Sequence, residues 1–233
     1  MQIYSPVLLA ISHHPDNAWR IFEILKNVKP ELLYIHSLGE YDLQRMLGDI
    51  DWPCKVITNI SKNENVSPLA WFFSQAEEGI ILQDSCIPDP SFLLFAQSML
   101  ERYRDKRSVL TASGANVAGI WKAKHSYFFS QKAIGAGWAT WKRAWVSNPK
   151  NIEKIFSGEI EDWARTEYLN IVPKQNLIEH IDGGPRGLGM RDDILGRIPC
   201  TPLKLPYEHQ LVFKVDTSYD AYFVNKFSKT KRS

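Results

Sequence analysis

A chain of 233 residues, 44% hydrophobic and 12% aromatic, has apolar material for one large domain or two small ones. Its 28 basic and 26 acidic residues leave a net charge of +2, which excludes the strong basic field that a nucleic-acid partner calls for. Three cysteines (Cys54, Cys86, Cys200) suit neither a disulfide framework nor a zinc repeat. The start lacks a basic leader and no segment approaches ~20 apolar residues, so a cytoplasmic protein is expected.

Along the chain, PVLLAIS (6–12) is an apolar run of strand length. HHPDNAWRIFEILKNV then carries Trp19, Phe22, Ile24, Leu25 and Val28 at helical spacing, up to the stop at Pro30. ELLYIHS (31–37) predicts a second strand, Leu43, Met46 and Leu47 a short helix, CKVITNI (54–60) a third strand, residues 68–75 a helix, and GIIL (79–82) a fourth strand. Such alternation argues for an α/β fold with a mostly parallel sheet flanked by helices on both faces. A helix follows at 91–106, capped by Asp89, Pro90 and Ser91, and then a strand, VLTASGANV (109–117). The stretch 125–145 is aromatic and Gly-rich before turning helical, as a pocket wall would be. From 146 onward the text is irregular, with prolines, a Gly-rich loop at 180–193 and a last helix near 218–227.

EEGIILQDSCIPDPSFLLF, then SGANV, then YFF and GWATWKRAW, occur in an order that resembles bacterial glycosyltransferases of the GT-A fold, which use nucleotide-diphospho-sugars. The likeness takes in PVLLAISHHPD and VPKQNLIEHID and so covers most of the chain. More distantly, the chain is similar to inverting N-acetylglucosaminyltransferases, which share an acidic strand tip, a Gly-Trp segment and a later acidic-Trp motif. The resemblance implies a single GT-A-like domain over 1–233, with a nucleotide-binding half at 1–117 and an acceptor-side half at 118–233. It further implies a nucleotide-diphospho-sugar donor and a glycan or glycolipid acceptor, as in polysaccharide biosynthesis.

Carried over residue by residue, the resemblance puts donor contacts at Ser12, His13, His14 and Asp16 after the first strand, and at Gln83, Asp84 and Ser85 after the fourth. Relatives typically read Glu-Asp-Asp there, and their last carboxylate holds Mn²⁺ or Mg²⁺ against the departing diphosphate. With Ser85 in that position only Asp84 is left for a metal, and weak or absent metal binding is expected. Strand alternation would put positions 83 and 85 on one face. Leu38-Gly39 stands where Asp-Gly is common, and Ser67 where a glycine is usual. Without a metal, Arg186 in GGPRGLG (183–189) would supply the positive charge, Arg191 and Lys204 being substitutes; as text, that stretch equally describes a surface loop.

Inverting transfer needs a base, and Glu161 and Asp162 in EIEDWAR are the candidates, with Asp192 and Asp193 behind them. Acidic residues at a helix N-terminus would read the same way. Trp163 could pack on a sugar ring. Trp138, Trp141 and Trp145 have helical spacing; Trp138, after two glycines, is expected to face an acceptor sugar while the other two pack inside. The basic tail, with Lys226, Lys229, Lys231 and Arg232, reads as a frayed terminus or as a weak contact with an anionic membrane surface. A second reading of the whole is a non-catalytic nucleotide-sugar or protein binding module that has lost its metal motif.

Overall fold

VLLAI contains no polar residue, and as β1 (Val7–Ile11) all five of its side chains are buried, as suits a central strand covered on both faces. The computed structural model describes residues 2–12, 14–39, 43–63, 66–157, 166–181 and 198–228, and the backbone alone of 161–162. After β1 come α1 (Pro15–Val28), β2 (Leu32–Leu38), α2 (Leu43–Gly48), β3 (Lys55–Ser61), α3 (Pro68–Phe73) and β4 (Glu78–Gln83). Proline opens α1 and α3, where a missing N–H costs nothing. Ser67 is the cap of α3, its Oγ accepting from Ala70 N at 3.1 Å, which accounts for a serine at that position.

The chain continues through β5 (Cys86–Pro88), α4 (Pro90–Tyr103), β6 (Val109–Ser113), β7 (Tyr127–Ser130), β8 (Lys132–Ala133), β9 (Trp138–Trp141), α5 (Lys142–Ser147) and α6 (Pro149–Phe156). It closes with β10 (Glu161–Asp162), β11 (Leu169–Pro173), β12 (Ile178–His180) and the C-terminal helix α7 (Thr217–Ser228). Eight strands form one sheet in the order β3-β2-β1-β4-β9-β6-β11-β7. The β1/β2, β2/β3, β1/β4 and β6/β11 pairs are parallel; β9 runs antiparallel to both β4 and β6, and β7 antiparallel to β11. The α/β class and the mostly parallel sheet flanked by helices, read from the sequence, are what the molecule has.

The two faces carry separate apolar clusters. Val7, Leu9 and Ile11 meet α1 (Ile21, Phe22, Leu25) and α4 (Phe92, Phe95, Met99), while Leu8, Tyr34, Ile81 and Trp138 meet α3 (Leu69, Phe72) and α6 (Ile152, Ile155). Helix α6 approaches the sheet side very closely. A Cβ on Gly135 would lie 1.9 Å from the Ile155 carbonyl oxygen, so only glycine lets α6 sit this low.

The 138–145 stretch differs from its helical reading. Trp138 to Trp141 is strand, and helix begins at Lys142. Residues three apart in a strand point to opposite faces, so Trp138 enters the α3 side and Trp141 the α4 side. Trp138 is 0% exposed, which corrects the expectation of a sugar-facing ring. Trp145, expected to be internal, is half-buried against Phe73.

Candidate functional site at the carboxyl edge of the sheet

β1 and β4 are neighbours, with Ala10 opposite Gln83, so the ends of the first and fourth strands meet at one edge despite their separation in sequence. Open α/β sheets bind ligands outside the carboxyl ends of their strands, next to the point where strand order reverses. Here the order departs from β1 in both directions, to β2 and to β4.

Asp84 is the hub of this edge. Strand β4 ends at Gln83, and residues 84–85 turn into β5, so the strand alternation expected through 85 stops short. The Asp84 carboxylate, 1% exposed, is directed at the β1–α1 connection. Its Oδ2 accepts from the backbone N–H of Ser12 at 2.8 Å and of His14 at 2.7 Å, and its Oδ1 accepts from Ser12 Oγ at 3.2 Å. Its own N–H donates to Ala10 O at 3.2 Å. A buried carboxylate is stable only with such donors, and each donor would otherwise be an unsatisfied loop amide. Asp84 therefore clamps Ser12 and His14 to the tip of β4. Asp16, in the first turn of α1, is exposed on the same connection.

Gln83 points to the α3/α6 side. Its Nε2 donates to Phe156 O at 2.8 Å, while its buried Oε1 has no partner. Across the parallel ladder His36, Ala10 and Gln83 share one row, with only the methyl of Ala10 between the two polar side chains. His36 is 1% exposed, its Nε2 has no partner, and burial lowers its pKa below the ordinary histidine value. The Nε1 of Trp138, on the same face, is the third buried side-chain polar atom without a partner among the described residues. Buried polar groups are nearly always bonded, and these three gather at one end of one face. Nearby, Ser67 Oγ donates to Glu153 of α6, whose burial raises its pKa against the opposing effect of that bond.

Ser85 is buried on the other flank, with Oγ 3.5 Å from Cys86 Sγ, and Cys86 Sγ lies 3.5 Å from His180 Nδ1. Ile181 N donates to Ser85 O at 2.9 Å, and Ile198 O accepts from Asn176 Nδ2 at 3.3 Å. Both described ends flanking residues 182–197 are thus tied close to this edge. Beyond β2, Gly39 takes a φ of 96°, and its N–H donates to Ser61 O at 2.9 Å. Only glycine turns here without strain, which fixes the Leu38-Gly39 corner.

The structure thus brings Ser12, His14, Gln83, Asp84 and Ser85 together, with Asp16 alongside. His13, Trp163, Arg186, Arg191, Asp192 and Asp193 lie outside the described residues. Glu161 and Asp162 form β10, which pairs antiparallel with β8, Glu161 opposite Ala133 and Asp162 opposite Lys132. Their backbone is strand, paired with β8. Sequence reading missed His36, Glu153 and the Ser85–Cys86–His180 contact. His36 did carry a signal, as the one basic side chain inside β2 (Leu32–Leu38).

Fold and edge together describe an α/β protein with a hydrogen-bonded loop cluster at the strand tips. No protein-family profile matches the sequence, and no curated protein matches it. Among solved structures it is similar to HddC from Yersinia pseudotuberculosis (9% identity over 60% of this chain and 77% of that one, TM-score 0.41). It is similar also to the inositol-1-phosphate CTP transferase from T. maritima (12% identity, 84% and 96% covered, TM-score 0.45). A third is CMP:2-keto-3-deoxy-manno-octonic acid synthetase complexed with CTP (10% identity, 82% and 97% covered, TM-score 0.41). Likeness of this strength assigns nothing, and the architecture rests on the strand order and registers above.

Proposed function

We propose that this chain binds a nucleotide-diphospho-sugar at the carboxyl edge of its sheet and transfers the sugar, with inversion, to a glycan or similar acceptor. The observation that carries the reading is the Asp84 clamp. It draws Ser12 and His14 to the β4 tip, at the edge where an open α/β sheet takes its ligand. Ser12, His14 and Asp16 would meet the base and ribose, and Gln83 the sugar.

The residues at the tip do not fit a divalent cation. A hard metal wants several free oxygen ligands, whereas the carboxylate oxygens of Asp84 accept from loop amides and Ser85 is a buried hydroxyl beside a thiol. On this reading the leaving diphosphate is stabilised by basic side chains in place of a metal, with Arg186 the first candidate. In the transfer, the acceptor oxygen bonds to the anomeric carbon as the bond to the diphosphate oxygen breaks, and the acceptor proton passes to a carboxylate, Asp162 or Glu161.

Calorimetric titration with purine and pyrimidine nucleotides and their diphospho-sugars, with Mn²⁺ and with EDTA, tests donor binding. Binding that EDTA leaves unchanged is expected; no binding across the panel would end the proposal. Asp162→Asn should then lower turnover by about two or more powers of ten with donor affinity kept, Glu161→Gln serving as the matched variant. A second reading, a nucleotide-sugar binding module without turnover, is favoured by the structural use of the one carboxylate at the β4 tip. Donor binding with neither transfer nor donor hydrolysis would select it.

A further inference from the structure

Far from the strand tips, where the end of α4 meets β7, three consecutive large apolar residues stand in solvent: Leu211 at 80% exposure, Val212 at 67% and Phe213 at 45%. Such runs are avoided on surfaces unless they serve contact. The turn is built rather than loose. The Phe213 ring stacks on Phe129 at 5.3 Å and meets Tyr103 at 6.0 Å, Lys214 N donates to Val212 O at 2.8 Å, and Val215 bridges to Phe129. Phe213 is thus an anchor that holds Leu211 and Val212 outward.

Cations surround it. Lys106 Nζ lies 5.8 Å from the Phe213 ring centre. Beside the turn is a hollow of about 340 Å³ whose lining includes Lys122, Lys124, His125 and Lys214. Asp216, the carboxylate in that lining, accepts from Trp121 Nε1 at 2.8 Å and from Tyr219 N at 3.0 Å, and the three lysines outweigh its single negative charge. Glu208 is an exposed acid nearby in sequence. The tail lysine within the described residues, Lys226, is occupied differently, donating to Val117 O and lying over Tyr222.

We infer that this surface docks on an anionic phospholipid bilayer, with Leu211 and Val212 in the interfacial layer and lipid phosphodiesters at the lysine-lined hollow. The chemistry fits a bilayer better than protein. A two-fold contact with a second copy would set these lysines against their own equivalents, and protein interface cores are depleted in lysine. At a bilayer, apolar tips enter while lysine stems reach to the phosphates.

Flotation of the full chain with vesicles of phosphatidylcholine, alone or mixed with phosphatidylglycerol, tests the inference. Binding should require phosphatidylglycerol and weaken with salt. Leu211→Ser with Val212→Ser should lower the partition coefficient about tenfold, and Lys122→Ala or Lys214→Ala about fivefold each. Because these side chains are exposed, melting temperature and any nucleotide affinity should not change, which separates this result from a folding defect and from failure of the proposed transferase reading. Wild-type protein that stays with the aqueous phase overturns the inference, as does vesicle binding indifferent to all these substitutions. A dimer that the double serine variant converts to monomer, without vesicle binding, overturns it in favour of a second copy.

Discussion

Replacing Asp84 by alanine removes the acceptor for two backbone amides and one hydroxyl while leaving β4 and its neighbours in place. Bonds to a charged acceptor contribute about 1.5–3 kcal/mol each, so the two amide bonds at 2.7 and 2.8 Å set the scale. Ser12 and His14 are half-buried, so water recovers part of the loss, and the expected destabilisation lies near the lower bound, about 3 kcal/mol. For a chain of this size that is a fall in Tm of about 6–12 °C. Asp84→Asn keeps one acceptor oxygen but turns an amide N–H₂ toward a donor, and should recover no more than about half. Urea unfolding followed by circular dichroism measures both variants. A loss below about 0.5 kcal/mol, the range of ordinary surface substitutions, would refute the clamp. Should that small loss accompany disappearance of a divalent-ion site, Asp84 would instead be a ligand that faces solvent.

Trp138→Ala should destabilise by about 3–5 kcal/mol in urea unfolding, since the ring is fully buried; near-normal stability with lost acceptor affinity would return the ring to the binding surface. Arg143 donates to the carbonyls of Tyr103, Arg104 and Val109 and lies 4.3 Å from the Trp141 ring centre, and burial pushes its pKa down to about 10. Arg143→Ala should cost about 2–4 kcal/mol, and Arg143→Lys should recover less than half because one ammonium cannot reproduce the planar fork. Burial lowers the pKa of His36, and burial followed by Arg102 lowers that of His209, so just below the ordinary value of about 6.5 the unfolded chain binds the extra protons. Stability should therefore rise with pH through that window and be lost as pH falls; His36→Gln should flatten the slope measured by urea unfolding across pH.

The first four strands and their helices were legible because β1, β2 and β4 are apolar runs and proline marks the starts of α1 and α3. Those signals are local. What escaped was set by residues distant in sequence. The tryptophan spacing of 138 and 141 mimics a helix because opposite faces of a doubly covered strand are both apolar. Only the sheet shows that β9 sits between β4 and β6. Asp84 was visible as a carboxylate at a strand tip, but its task depends on two amides some 70 residues earlier. Glu161 and Asp162 read as a helix start or a catalytic motif, and their backbone forms a two-residue ladder against β8 that no periodicity announces.

The antiparallel strand β9 imposes an order on how the molecule is made. Strands β4 and β6 do not pair with each other in this sheet; every bond between them runs through residues 138–141. A chain emerging from the ribosome therefore carries two finished but unpaired strand flanks until about 25 further residues have followed Ser113, and such flanks invite pairing with other chains. A fragment ending at residue 117 would hold β3-β2-β1-β4 and a stranded β6, with the centre of the sheet missing. Slow, late closure is the expectation, since this strand joins partners far from it in sequence. Cutting the gene after residue 117 should yield two pieces that are recovered together on co-expression and aggregate apart.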